Sequence, residues 1–449
     1  MRLSPQPHAP FPVAAEVTTE GLRILAPGGE SHHYDLCDRG QAAWLDVHEA
    51  MARDLDLRKP AARRPFKALA GGVRYQPILT APLAPEILYG YGDPAVIRWG
   101  EDYVLTVTSN DAPDAFPILT SRDLTNWRLS GFVFPQGCAP AWALTGENQA
   151  DFWAPEMHRV GDEAWVVFTA RKQDRSLAIG LAKAATPAGP FVANAAPLVE
   201  GGVIDAHIMR GPGGAPHLVW KEDRNDVWPA LLAGLLHQRA DAIASLFPEP
   251  RDQRIASLAA VLHPWLEDLE PMERFFALQP LIEAVAEDFT GFATRLAACA
   301  GAEAVHSALH TRILAQPLAP DGSRLEGEPT VILQNDQPWE AHLIEGVWAL
   351  QHQGRSWIFY AGNDFATPNY GIGAAVADHP LGPYRKAPAP ILASSADWWG
   401  PGHPSVAEGP DGRLHLFLHA FFPGHAGYKA FRALLSAPLT FEGDQVRAG

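Results

Sequence analysis

The chain has 449 residues, 47% hydrophobic and 10% aromatic, which is ample for a large core and unlike a disordered protein. A formal net charge of −16 argues against nucleic acid and anionic membranes as partners. Cys37, Cys138 and Cys299 are far apart, with no CxxC pair and no disulfide framework.

The opening stretch, "MRLSPQPHAPFPVAA", lacks the basic start and apolar run of a signal peptide. No segment approaches the roughly 20 apolar residues of a membrane span, so a soluble, cytoplasmic protein is expected. Residues 1–85 do not join the pattern that follows. They hold a hairpin signal in "GLRILAPGGESHHYDL" and a helix signal in "QAAWLDVHEAMARDL", and are expected to form an N-terminal extension packed on the main body.

From Asp93 a pattern sets in and recurs: "DPAVIRWGEDYVLTVTS", "APEMHRVGDEAWVVFTA" from Ala154, "DAHIMRGPGGAPHLVWK" from Asp205, "EGVWALQHQGRSWIFYAG" from Glu345 and "HPSVAEGPDGRLHLFLHA" from His403. Most copies open on a polar residue, run through a short strand and a Gly-bearing turn, and return in a strand rich in aromatic and β-branched residues. That is a hairpin signal. Third strands such as "LAIGLAKA" and "YGIGAAVA" follow, and weaker fourth ones begin after Gly-Pro at Phe191 and Tyr384. Five units of four strands predict an all-β, five-bladed β-propeller.

The unit starts 93, 154, 205, 345 and 403 lie 61, 51, 140 and 58 residues apart. The long third interval marks an insertion of roughly 80 residues, placed in a loop as repeat folds place them. From Val227 to Ala308 apolar residues recur at three- and four-residue spacing, punctuated by Pro248, Pro250 and Pro271. This predicts three or four amphipathic helices. The expected division is therefore an extension over 1–85, blades one to three over 86–226, a helical insertion in the third blade over 227–308, and the rest of the propeller over 309–449. The helices are expected to shape the substrate entrance or a homo-oligomer interface and to contribute no catalytic group.

In a propeller the first strand of each blade lines the central axis. Asp93, Asp205 and Glu345, at what read as equivalent places, would then meet at one end of it. Three gathered carboxylates repel one another, and their pKa values are pushed apart, which suits acid–base chemistry. Glu340 in "PWEAHL" competes with Glu345 for the acid role, while Glu156 in "WAPEM" reads as a structural or binding residue. Phe152 and Trp153 are placed to line the pocket there or to pack the core.

Residues 88–445 resemble glycoside hydrolase family 43, on the strings "GDPAVIRWGEDYVLTVTSND", "SRDLTNWRLSG", "FWAPEMHRVGDEAWVVF", "VIDAHI", "PWEAHLIEGVWAL", "PLGPYRKA" and "GPGHPSVAEGPDGRLHLFLHAF". The resemblance implies an inverting, exo-acting glycosidase releasing terminal α-L-arabinofuranosyl or β-D-xylosyl residues from small glycans. It implies Asp93 as general base, Glu345 as general acid and Asp205 as the residue that tunes and orients the acid. It further implies Arg432 facing the substrate, and His403 contacting substrate or, through water, a structural calcium at the axis; no other cofactor is expected. Two departures stand out: Gly92 where the family often has Arg before Asp-Pro, and Val347 where it often has Pro after the acid. They leave the carboxylates in place and bear on which sugar is taken. The alternatives are a glycosidase for another sugar, such as galactose or galactofuranose, and a non-catalytic carbohydrate-binding propeller.

Overall fold

The computed structural model describes residues 1–36, 50–57, 74–427 and 429–449. The chain divides into two compact bodies.

One body contains the first strands and the helices. Strands β1 (Arg2–Leu3), β2 (Ala14–Val17), β3 (Gly21–Leu25) and β4 (Ser31–Asp35) form an antiparallel sheet in chain order, and β3–β4 is the predicted hairpin. Cys37 and most of the predicted helix over 41–55 lie outside the described residues; 50–54 is helical. The helices are α1 (Val227–Gln238), α2 (Ile243–Leu246), α3 (Pro250–Leu266), α4 (Pro271–Ala277), α5 (Gln279–Glu287), α6 (Phe289–Ala297) and α7 (Glu303–Ala308). They are shorter and more numerous than the periodicity predicted. Pro250 and Pro271 sit at the first positions of α3 and α4, where a missing N–H costs nothing. Glu270 and Glu273 close a capping box at α4. The helices α1 and α3 pack together, burying Leu232, Leu236, Ala256 and Ala260. The first strands belong with these helices: α3 packs against β1 and β2, Phe11 N–H donates to Ser257 Oγ at 3.3 Å, and Arg254 pairs with Asp56 at 2.6 Å. Among the described residues no helix is long and apolar enough to cross a membrane.

The other body is a series of antiparallel sheets. The first has β6 (Ala95–Trp99), β7 (Asp102–Thr106), β8 (Ala115–Ser121) and β9 (Arg128–Phe134). The second has β10 (Trp153–Val160), β11 (Glu163–Arg171), β12 (Leu177–Ala184) and β13 (Val192–Ala193), with β14 (Val199–Glu200) also on β12. The third has β15 (Val203–Arg210), β16 (Pro216–Glu222), β17 (Arg312–Pro317) and β18 (Thr330–Gln334), the helices intervening in sequence between β16 and β17. The fourth has β19 (Ile344–His352), β20 (Arg355–Gly362), β21 (Gly371–Ala377) and β22 (Arg385–Lys386). The fifth has β23 (Trp399–Glu408), β24 (Leu414–Phe421), β25 (Arg432–Glu442) and β26 (Gln445–Ala448). To its β25 is added β5 (Gln76–Leu79), so the 1–85 stretch does not act as one piece.

Each sheet packs on the next through an apolar cluster, such as Trp165, Leu181, Leu218 and Trp220 between the second and third. Val96, Tyr103 and Leu105 of the first sheet pack with Phe417 and Leu434 of the fifth. The first strands follow the same circuit: β6, β10, β15, β19 and β23 are successive neighbours, and β23 neighbours β6.

A shared irregularity opens these strands. Asp93, Ala154, Asp205, Gly346 and His403 all have left-handed φ, between 45° and 58°. The ladder register shifts there in the four sheets where pairing spans the position. For the four residues with a Cβ this conformation costs roughly 1–2 kcal/mol each. Such bulges turn the strand and re-aim its side chains. They also correct the alignment of the acids: Asp93 and Asp205 are left-handed residues, whereas Glu345 stands one place before its own, Gly346.

Candidate active site

Four of the five left-handed residues have their N–H groups held by side chains of the neighbouring sheet. Asp93 N–H donates to His419 Nδ1 at 3.1 Å, Ala154 N–H to Thr108 Oγ1 at 2.8 Å, and Asp205 N–H to Thr169 Oγ1 at 3.2 Å. Gly346 N–H instead donates to Asp205 Oδ2 at 2.9 Å. This bond ties Asp205 to the strand that carries Glu345.

Asp93 accepts from Thr108 Oγ1 and lies 3.0 Å from Arg432 Nη1. His419 and His403 approach the same carboxylate at 3.4 and 3.5 Å. Burial raises its pKa, but Arg432, the two histidines and the Thr108 bond outweigh burial and hold it well below the usual carboxylate range. Arg432 reaches Asp93 across Gly92: a Cβ on Gly92 would stand 1.9 Å from Arg432 Nη2. The missing arginine at residue 92 and the arginine at 432 therefore share one volume.

Burial pushes the Asp205 carboxyl up to about 7, with Glu345 and Asp93 adding to the effect and His403 and Lys221 opposing it. Glu345 is 6% exposed. Its Oε1 accepts from Tyr370 OH at 2.8 Å and its Oε2 lies 3.0 Å from Lys221 Nζ. Asp93 is thus kept ionised by cations, while Asp205 retains a proton near neutrality.

His403 links the groups. Its Nδ1 is 3.5 Å from Asp93 and 3.9 Å from Asp205, and its Nε2 is 3.8 Å from Glu156 Oε1, beyond hydrogen-bond distance. Burial opposes its protonation, yet these three carboxylates raise its pKa to about 9. His419 is the reverse case: burial and Arg432 push it well below the usual imidazole range, which suits an Nδ1 that accepts an N–H.

Glu156, His158 and His207 have ligating atoms within 4.8 Å of one another, close enough to hold an ion. Their hydrogen bonds point elsewhere. His207 Nε2 accepts from Ala349 N–H at 3.1 Å, so its proton is on Nδ1, 2.6 Å from Glu156 Oε2. His158 Nε2 accepts from Ile208 N–H at 3.3 Å. Both rings already spend these lone pairs, and Glu156 is a structural acceptor.

The other expected residues separate. Trp153 takes the same register place in the second sheet as Glu345 in the fourth; its Nε1–H donates to Asn110 Oδ1 at 3.0 Å and Arg171 lies over its ring at 5.6 Å. Phe152 is 2% exposed and packs in the core against Phe116 and Phe134. Glu340 is fully buried and saturated by the N–H groups of Asp336 and Gln337, Tyr360 OH and Lys386 Nζ. Sequence reasoning passed over Thr108, Lys221, Tyr370 and His419. Lys221 and His419 did leave a signal, because each is a polar residue in an apolar central strand, "HLVWKE" and "LHLFLHAF".

Glycosyl hydrolases family 43 matches residues 84–251 and 299–446; the gap falls among the helices. Over 178 residues the chain is 27% identical to xylosidase/arabinosidase 43B of Humicola insolens, a match covering 37% of this chain and only 31% of that protein's length. Among solved structures it resembles a thermostable family-43 glycoside hydrolase, with 26% identity, a TM-score of 0.57, and 80% of this chain and 92% of that one covered. It also resembles an endo-1,4-beta-xylanase from Bacteroides thetaiotaomicron, with 18% identity, a TM-score of 0.54 and coverage of 84% and 97%. That second likeness is one of fold alone.

Proposed function

Since this chain belongs to glycosyl hydrolase family 43, we propose that it is an inverting, exo-acting glycosidase that removes terminal α-L-arabinofuranosyl or β-D-xylosyl residues from small glycans. In this reading the five sheets are the blades of a propeller, and the ring of first strands is its axis. The Humicola insolens relative, a xylosidase/arabinosidase, supports the choice of sugar.

The single observation that carries the reading is the opposed electrostatics of the carboxylates. Asp93, held ionised beside Arg432, is the general base and takes a proton from water. Glu345 is the general acid and protonates the leaving oxygen as the glycosidic bond breaks through an oxocarbenium-like transition state. Asp205 keeps a proton near neutrality beside Glu345 and, through Gly346 N–H, orients the strand that bears the acid. Trp153 offers a half-buried ring to the sugar, and Arg432 positions the base.

A structural calcium at the axis, reached from His403 through water, stays part of this proposal: the ring's Nε2 is buried with no hydrogen-bond partner, and no step here runs through a metal.

The test is a panel of nitrophenyl glycosides with NMR of the first-formed sugar. Hydrolysis of an arabinofuranoside or xyloside with inversion is expected. Turnover only of another sugar overturns the substrate, retention overturns the mechanism, and binding without turnover overturns catalysis.

A further inference from the structure

The buried ammonium of Lys221 has no part in the roles given above. Lys221 is 0% exposed, and burial alone would drive its proton off; Glu345, Asp223 and Asp205 reverse this and keep it charged. A buried lysine is costly unless its charge is used or paired.

Its place in the register explains how it comes to face Glu345. Thr108, Thr169 and His419 stand opposite the residue before each bulge, namely Gly92, Trp153 and Gly402, and each accepts the bulge N–H of the next sheet. Lys221 stands opposite Ile204, the same place in the third sheet. A lysine has no lone pair to offer when charged. Asp205 Oδ2 takes over the Gly346 N–H at 2.9 Å, and Lys221 Nζ reaches past it to Glu345 Oε2 at 3.0 Å. Tyr370 OH fixes the other oxygen at 2.8 Å. The carboxylate is gripped from two sides by groups of different elements.

We infer that Lys221 is the positioning residue of the acid: within the Asp205–Glu345 pair it grips Glu345 and holds that carboxyl in the one orientation from which a proton can be given to the leaving oxygen. The inference rests on Glu345 being the acid. The charged and titratable groups facing this pair are Lys221 and Asp223 from the β16 segment, Asp205 from β15, Tyr370 ahead of β21, and Asp93 and His403 from the neighbouring bulges.

The experiment measures kcat/KM against pH on two aryl pentosides, one with a good and one with a poor leaving group. Lys221→Met should raise the alkaline limb by about one pH unit or more, because the pair loses a neighbouring cation. It should cost the poor-leaving-group substrate on the order of 100-fold and the good one far less, because only the former needs the proton. Lys221→Arg should return both readings toward wild type. Asp223→Asn, which removes the carboxylate 3.3 Å from Lys221 Nζ and keeps the buried lysine, should move the limb the other way, and it serves if Lys221→Met does not fold. An unmoved limb in Asp223→Asn, or an equal loss on both substrates in a folded Lys221→Met, overturns the inference and leaves the lysine merely structural. Glu345→Gln run alongside separates the two readings: if it has no leaving-group dependence, it is the assignment of the acid that fails.

Discussion

The guanidinium of Arg432 occupies the space that a side chain on Gly92 would fill, and from there it holds the carboxylate of Asp93. The two residues are 340 positions apart, and isolated pairing of Gly90 with Arg432 brings their strands together. A glycine before Asp-Pro thus admits the positive charge that holds Asp93 ionised.

Gly92→Ala should therefore act on chemistry more than on folding. The clash is with the far end of a flexible side chain, which can swing away. Asp93 then loses its main cation, its pKa rises, and the acidic limb of kcat/KM moves up. The acidic limb should move up by about one to two pH units, at about 1.4 kcal/mol each, while activity near neutrality, where Asp93 is still ionised, changes little. A calorimetric scan within a few degrees of wild type, beside an unmoved acidic limb, would sink the idea.

Glu345→Gln and Glu340→Gln should fail in different ways. The first should lower turnover by about 10²–10⁴-fold on poor leaving groups, and, because it also breaks the buried pair with Lys221, it should cost stability as well. The second breaks a buried pair with Lys386, whose cost is on the order of 3–5 kcal/mol. Thermal denaturation should register that loss, with kcat per folded molecule little changed. A catalytic defect in folded Glu340→Gln would reopen the choice of acid.

Near neutrality the activity should be asymmetric in pH. Asp93 stays ionised far into the acid range, whereas the proton on Asp205 leaves as pH rises through about 7. The alkaline limb of kcat/KM should fall there. In Asp205→Asn the amide oxygen can still accept Gly346 N–H while the charge is gone; Asp205→Ala also leaves that buried N–H unpaired, at about 1–3 kcal/mol. Comparing the melting of the two variants isolates the hydrogen bond. Equal melting points would mean that the Gly346 bond contributes nothing.

His403 predicts a stability slope. Its folded pKa of about 9 lies above the ordinary 6.5, so its contribution is fully present below 6.5 and is lost as pH rises through 9. Asp205 is also raised, but its window runs from 3.8 to about 7 and is already spent. Between pH 7 and 9 urea denaturation should show falling stability, on the order of 1–3 kcal/mol, and His403→Gln should flatten that slope. An unchanged slope in the variant would assign it to other groups.

Much of this was legible in the sequence because the sheet pattern is local. Alternation of apolar residues and turn glycines marks each hairpin within a few residues, and the opening acids are visible beside them. What escaped was the pairing across sheets. Nothing near Glu345 announces Lys221, which lies 124 residues away, and nothing near Asp93 announces His419 at 326. The one-residue offset of Glu345 escaped as well, because a bulge is a matter of φ and register, and Gly346 reads in sequence as an ordinary strand glycine. Phe152 and Trp153 are adjacent and similar in chemistry, but the pleat sends one into the core and leaves the other half-exposed.

The pairing of β5 with β25 gives biosynthesis a waiting time. Leu79 meets Leu434, so the fifth sheet joins segments 355 residues apart. At roughly 5–20 residues per second, about 20–70 s pass on the ribosome between the appearance of the first strand and that of its partner. Throughout that interval Gln76–Leu79 is an unsatisfied strand, Arg432 has not been made, and Asp93 has no cation beside it. The segment Arg432–Glu442 thus both fastens the fifth sheet and brings the cation to Asp93, so neither arrangement exists until it has been made.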